Sequence, residues 1–324
     1  MSLFPLRLIP NTTNFNFMRV RWVSIAIAAL LTVAAIGAMA FKGFNFALDF
    51  TGGTVVELRF QTPPDVEGVR SRLDAGGYGS AQVQTFGSGS DLLVRLQPRE
   101  VASSSGTGEA GNSTADDVLR LASTESNAAK VMRSEFVGPQ VGKELAEKAA
   151  LTLACVLVGF LIYIGVRFEW KFAISAIVTT LSDVVIVAGF FAVSGVEFDL
   201  TILAGLLSVM GFSINDKIVV FDRVRENFRN LRAEPMEILN RSINQTLSRT
   251  IITSFVAFLT VFALYLYGGG SLEGMALSQM IGIVLGTISS IFVACPLLTI
   301  GFLTVTKQDL MPKAKDEALL ARRP

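Results

Sequence analysis

Residues 201–230 read TILAGLLSVMGFSINDKIVVFDRVRENFRN, and the character of the chain follows from how this stretch divides. Its first half is apolar enough to enter a bilayer, and its second half is dense in arginine. Inside the apolar run sit Ser213, Asn215, Asp216 and Lys217, and Ile218, Val219, Val220 and Phe221 continue the run beyond them. A crossing helix takes ~20 residues, which leaves Asp216 in the inner half of the bilayer. A carboxylate at the centre of a membrane helix costs about 2.5–3.5 kcal/mol on insertion scales, so such a group is kept where it is used or paired. The competing reading places Asp216 near the helix end, reaching water beside Lys217.

Composition supports a membrane protein. Hydrophobic residues make up 51% of the 324, more than a soluble domain of this length carries. The formal net charge is +1, so the distribution of charge matters here and its total does not. The two cysteines, Cys155 and Cys295, both fall in apolar runs, which argues against an external disulfide framework. There is no histidine, which excludes histidine-based catalysis and histidine metal sites. No metal ligand set and no cofactor is expected.

Outward from that stretch, six spans can be placed. The first, 22–41, follows a polar start with Arg7, Arg19 and Arg21; its length and the poor cleavage site at Phe41-Lys42 favour an uncleaved helix over a removed signal. The others fall near 149–166, 172–194, 200–221, 251–267 and 275–305, the last interrupted by Pro296. Basic residues cluster at Arg167 and Lys171, from Arg223 to Arg241, and from Lys307 to Arg323. The short loops 195–199 and 268–274 hold Glu197, Asp199 and Glu273 and no base. This positive-inside pattern predicts cytoplasmic N- and C-termini (1–42 with the first span; tail 307–324), a basic cytoplasmic loop 222–250, and the stretch 43–143 outside the cytoplasm.

That stretch is polar, with short hydrophobic runs. Strands are predicted at 54–60, 81–86, 91–97 and 131–137, and helices at 64–75 and 116–129. The order β-α-β-β-α-β is the ferredoxin-like arrangement. Residues 102–115, ASSSGTGEAGNSTA, are low in complexity and predict a disordered loop. After Gly138-Pro139 a helix runs unbroken into the second span, opening the bundle 144–306. The fold class is an α-helical integral membrane protein with six transmembrane helices and one external α+β domain.

Three polar residues interrupt the spans: Asp183 in the third, Asp216 in the fourth, and Arg249 opening the fifth among Thr246, Thr250, Thr253 and Ser254. At similar depth, Asp216 and Arg249 can pair across adjacent helices. A carboxylate that moves between paired and unpaired surroundings can take up a proton on one face and release it on the other; the alternative is a static pair joining two helices. Gly282 and Gly286 form GxxxG, continued by Ser290, which predicts a small-residue packing face.

Several stretches of this chain resemble the SecF family. They are FNFALDFTGGT (44–54), VGPQVGKEL (137–145), FDLTILAGLLSVMGFSINDKIVVFDRVREN (198–227), INQTLSRTIITS (243–254) and ALYLYGGGSLEGMALSQMIGIVLGTISSIFVACPLL (263–298). The resemblance implies a six-helix RND-superfamily membrane half at the cell inner membrane, in contact with lipid, with a periplasmic ferredoxin-like domain. It implies SecD and the SecYEG translocon as partners, a translocating preprotein as the periplasmic domain's client, and protons as the coupled ion. No nucleic acid and no enzyme activity are implied. Asp216 matches the family's intramembrane proton-site carboxylate and Arg249 its basic partner, with Asp183, Asn215 and Ser213 in the same proton relay. Asp183 matches the acidic half of a His-Asp pair, but Ser182 stands where the family has histidine, and Phe212 stands where it often has tyrosine. Two other function classes fit the architecture less well. A proton-driven exporter of small molecules or lipids usually carries a second large external domain. An intramembrane aspartyl protease, using Asp183 and Asp216, needs both carboxylates on one peptide.

Overall fold

The computed structural model describes residues 13–79, 81–86, 89–96, 109–124 and 127–306. In order, its main elements are α1 (Arg21–Lys42), α2 (Leu48–Thr51), β1 (Gly53–Phe60), α3 (Val66–Ala75), β2 (Gln82–Phe86), β3 (Asp91–Leu96), α4 (Glu109–Ala122), β4 (Ala129–Val137) and α5 (Pro139–Arg167). There follow α6 (Trp170–Ser194), α7 (Leu200–Asn230), α8 (Pro235–Tyr267), α9 (Gly270–Ser289), a π turn (Ser290–Ala294) and α10 (Cys295–Leu297). They form two compact units, Phe46–Thr152 and the described residues on either side of it.

The inner unit is an α+β sandwich of one sheet and two helices. Its four strands run β2-β3-β1-β4, every neighbouring pair antiparallel. That is the order of a β-α-β-β-α-β chain whose two halves interleave, as the sequence pattern predicts. Alternation in β1 and β3 sends Val56, Leu58, Leu92 and Val94 to one face, where they are fully buried with Val69 and Leu73 of α3 and Val118 and Ala122 of α4. On the other face Arg59 clasps Asp91, Nε to Oδ1 at 2.7 Å. The glycine pair before β1 has a backbone reason. Gly53 sits at φ 125°, and a Cβ there would lie 2.3 Å from the Leu96 carbonyl oxygen.

One expectation changes here. The second helix begins at Glu109, so residues 109–115 of the stretch read as a loop are helical, while 102–108 lie outside the described residues. The helix gains its place from Ala115, Val118 and Ala122, which reach the sheet core; the Gly-Ser-Thr composition before Ala115 hides its first turns.

Among the described residues six helices are long and apolar enough to cross a membrane, and the protein is a multi-pass membrane protein. α7 is central. Small residues let α9 close on it: a Cβ on Gly282 would meet Val209 at 2.1 Å, and one on Gly286 would meet Ser213 at 3.2 Å. Gly189 of α6 lies as tightly against Ala35 of α1, 2.4 Å from a built Cβ to the alanine methyl. Near one end of the bundle a cluster of Phe168, Phe172, Phe221 and Phe228 fills the core. Asp199 caps α7 by accepting from Ile202 N–H at 2.8 Å, and Gly195 ends α6 in the left-handed conformation.

The basic stretch 222–250 is not a loop. α7 continues to Asn230 and α8 starts at Pro235, leaving a connection of 231–234. Cross-helix hydrogen bonds hold the extensions together: Asn227 donates to Ser242 and to Gln245, each at 2.8 Å. The sixth span ends near Pro296, through a π turn whose freed carbonyls accept hydroxyls from other helices, Ser24 to Phe292 at 2.6 Å and Ser175 to Ala294 at 2.7 Å.

Candidate functional site

Where α6, α7, α8 and α9 meet, three charged side chains are withdrawn from the surface: Asp183, Asp216 and Lys217, exposed by 3%, 2% and 0%. They fall into two groups on either side of α7, because residues 216 and 217 point about 100° apart on a helix.

The first group is centred on Asp183. Its Oδ2 accepts from Ser213 Oγ at 2.6 Å, from Ser289 Oγ at 2.7 Å and from Lys217 Nζ at 2.9 Å. Lys217 also donates to the Ser213 hydroxyl and, at 3.4 Å, to the Ser213 carbonyl oxygen one turn back. Lysine has three donors and no acceptor, so this arrangement uses all of them. A cavity of about 310 Å³ between α1, α6 and α9 reaches the Asp183 side; Thr179, Ser182 and Ser289 are among its polar lining, within otherwise apolar walls. Ser182, where the family resemblance leads one to expect histidine, shares a hydroxyl hydrogen bond of 2.5 Å with Thr32 of α1.

The second group is centred on Asp216. Its Oδ2 accepts from Ser254 Oγ of α8 at 3.2 Å, and Thr287 Oγ1 of α9 donates to that same serine at 2.7 Å. Among the described residues Asp216 forms no ion pair. Arg249 is exposed on α8, near enough to act electrostatically on Asp216 but not joined to it. Asn215 is exposed as well, directed away from both groups. Of the residues that sequence reasoning nominated, Asp183 and Ser213 are brought together, Asp216 stands beside them on α7, and Asn215 and Arg249 stand outside. Gly282, Gly286 and Ser290 line the inner side of α9 and the π turn, with Ser290 fully buried and donating to Thr287 O at 2.9 Å.

Sequence reasoning missed Lys217, Ser254, Thr287 and Ser289 as parts of the site. Lys217 carried a signal, a base inside an apolar run, but the sequence gives it no partner. The three hydroxyls lie far along the chain from the carboxylates they serve, and spacing does not reveal that.

The comparisons agree along the chain. A model described as "Protein export membrane protein SecD/SecF, C-terminal" matches residues 118–302, and one for the "SecD/SecF GG Motif" matches residues 37–64. The protein translocase subunit SecF of Pseudomonas aeruginosa is 45% identical over 305 residues, which cover 94% of this chain and 96% of that one. The chain belongs to the SecF branch of the SecD/SecF family. SecF of Escherichia coli O157:H7 is 44% identical over 87% of this chain and 86% of its own, and SecF of Rickettsia typhi 37% over 93% and 96%. A crystal structure of SecDF from Thermus, described as a translocon-associated membrane protein, superposes with a TM-score of 0.78 at 38% identity. SecDF in a "super-membrane-facing form" superposes with a TM-score of 0.65 at 37% identity. Each covers 91% of this chain, and the chain spans 39% of either SecDF chain. Membership makes this a translocase subunit and not an enzyme. The GG-motif match contains Gly52 and Gly53, the turn that Gly53's positive φ and the nearby Leu96 carbonyl require.

Proposed function

We propose that this chain works as the SecF-type half of a two-subunit machine that draws on the proton-motive force to assist late steps of protein translocation. SecD is its partner in the membrane, the SecYEG translocon its neighbour, and the emerging preprotein the client of its sheet domain. The termini lie in the cytoplasm and the sheet domain in the periplasm, following the basic residues at the ends of the spans. Asp216 is the coupling group. The observation that carries this is a buried carboxylate without an ion pair in a bundle that the family places in protein export. One charge crossing the field is worth about 2.3 kcal/mol per 100 mV, enough to bias a conformational equilibrium. Arg249, exposed on α8, acts as the basic group that meets Asp216 in one state of the cycle.

The test is export into membrane vesicles that contain this chain together with a SecD-type subunit. Stimulation that needs a proton gradient and disappears with an uncoupler supports the reading. Equal stimulation without a gradient contradicts it.

A further inference from the structure

Among the described residues, the membrane unit buries two carboxylates against one ammonium. The ammonium is committed. Lys217 Nζ lies 2.9 Å from Asp183 Oδ2, and its other two donors are taken by the hydroxyl and carbonyl of Ser213. Asp183 is served in turn by the hydroxyls of Ser213 and Ser289. Asp216, the next residue back along the chain, has one hydroxyl from Ser254 and no ion pair. The surroundings add no second buried base. α6 supplies Asp183, α8 supplies Arg249 at its exposed surface, and α9 contributes only the hydroxyls of Thr287 and Ser289.

We propose that Lys217 is a positioning residue for the proton site: by holding Asp183 in a closed ion pair, it leaves Asp216 as the one buried carboxylate that a proton must neutralise. The inference rests on the reading of Asp216 as the coupling group and adds a proton count to it. Asp183, Lys217 and Asp216 together carry one net negative charge. A single proton, taken up by the Asp216 carboxylate to give the acid, brings the cluster to neutrality, and its release restores the charge. A lysine is a point charge on a flexible four-carbon stem, and both carboxylates act on this one. If Asp183 loses its charge, Asp216 becomes the remaining buried anion within Lys217's neighbourhood. The pair then closes on the wrong carboxylate, and Asp216 no longer needs a proton.

This gives a second-site rescue as the test. Asp183→Asn, assembled with a SecD-type subunit, is expected to lose gradient-dependent export. Asp183→Asn with Lys217→Met, which removes the competing ammonium, is expected to recover at least half of it with the wild-type pH profile. Two outcomes overturn the proposal: a double variant present at normal membrane levels and still uncoupled, or a single Asp183→Asn variant that stays fully coupled. Should either variant fail to accumulate, the wild-type complex decides. With this chain alone carrying ¹³C-labelled carboxylates, infrared difference spectra across the acidic transition should show one buried, slowly exchanging carboxylic acid; two overturn the proposal. Asp216→Asn measured alongside separates the two readings. If it stays coupled, the carrier assignment fails whatever the rescue shows; if it is uncoupled and the rescue also fails, only the role of Lys217 falls.

Discussion

Asp216 Oδ2 accepts from Ser254 Oγ at 3.2 Å, and that serine in turn accepts from Thr287, so the carboxylate of α7 is tied to α8 and α9 through a chain of hydroxyls. A hydrogen bond to a charged group contributes about 1.5–3 kcal/mol. Ser254→Ala should therefore weaken gradient-driven export by about tenfold or more, by the factor of ten that goes with 1.4 kcal/mol. Thr287→Val, one step removed, should have a smaller effect. Export rates at a fixed gradient, normalised to membrane protein, check the order. A Ser254→Ala variant with wild-type rates would show that the serine only fills space.

The contact between α7 and α9 makes a prediction about stability. Gly282→Ala would set a methyl 2.1 Å from Val209, inside a packed interface where excess volume costs about 1–3 kcal/mol. The unfolding midpoint of the purified chain in detergent should fall. Gly159→Ala on α5, where a Cβ meets nothing within 4 Å, should leave it unchanged and serves as the matched control. Equal midpoints for the two variants would mean that α9 shifts to accept the methyl.

These two cases also show where the sequence could be read and where it could not. The six spans were legible because length and hydropathy alone define a crossing helix. The strand order was legible because alternation and turn glycines mark short strands. The GxxxG of α9 announced a close approach, though not its partner Val209. The start of α4 at Glu109 was hidden, since the buried residue of its first half, Ala115, follows a run rich in glycine, serine and threonine, while Val118 and Ala122 lie in the stretch already read as helix. The early start of α8 at Pro235 was hidden for a related reason: charge density reads as loop, while Asn227, Ser242 and Gln245 tie α8 to the end of α7. Asp183 and Asp216 stood out as carboxylates in apolar runs. The assignment of Lys217 to Asp183, on another helix, depends on which way each helix turns its faces, and a single sequence does not give that.

Topology can be checked with thiol reagents that do not cross the membrane, in a Cys155→Ser background. Cys295 is buried and needs no change. A cysteine at Glu67, exposed on α3, should label from outside, and one at Ala233, exposed between α7 and α8, should not. The positive-inside bias predicts this, and the reverse pattern would invert every assignment of side.

If Asp216 carries the coupling proton, Asp216→Asn abolishes coupling. The amide keeps the shape of the side chain and a group for Ser254 to bond, yet it cannot ionise. The measurement is gradient-driven export by the complex with a SecD-type subunit, with membrane amounts of both chains determined in the same samples. Normal amounts, normal assembly and no response to the gradient are expected. Full stimulation by the gradient at normal amounts would contradict this, and would make the buried carboxylate a structural group.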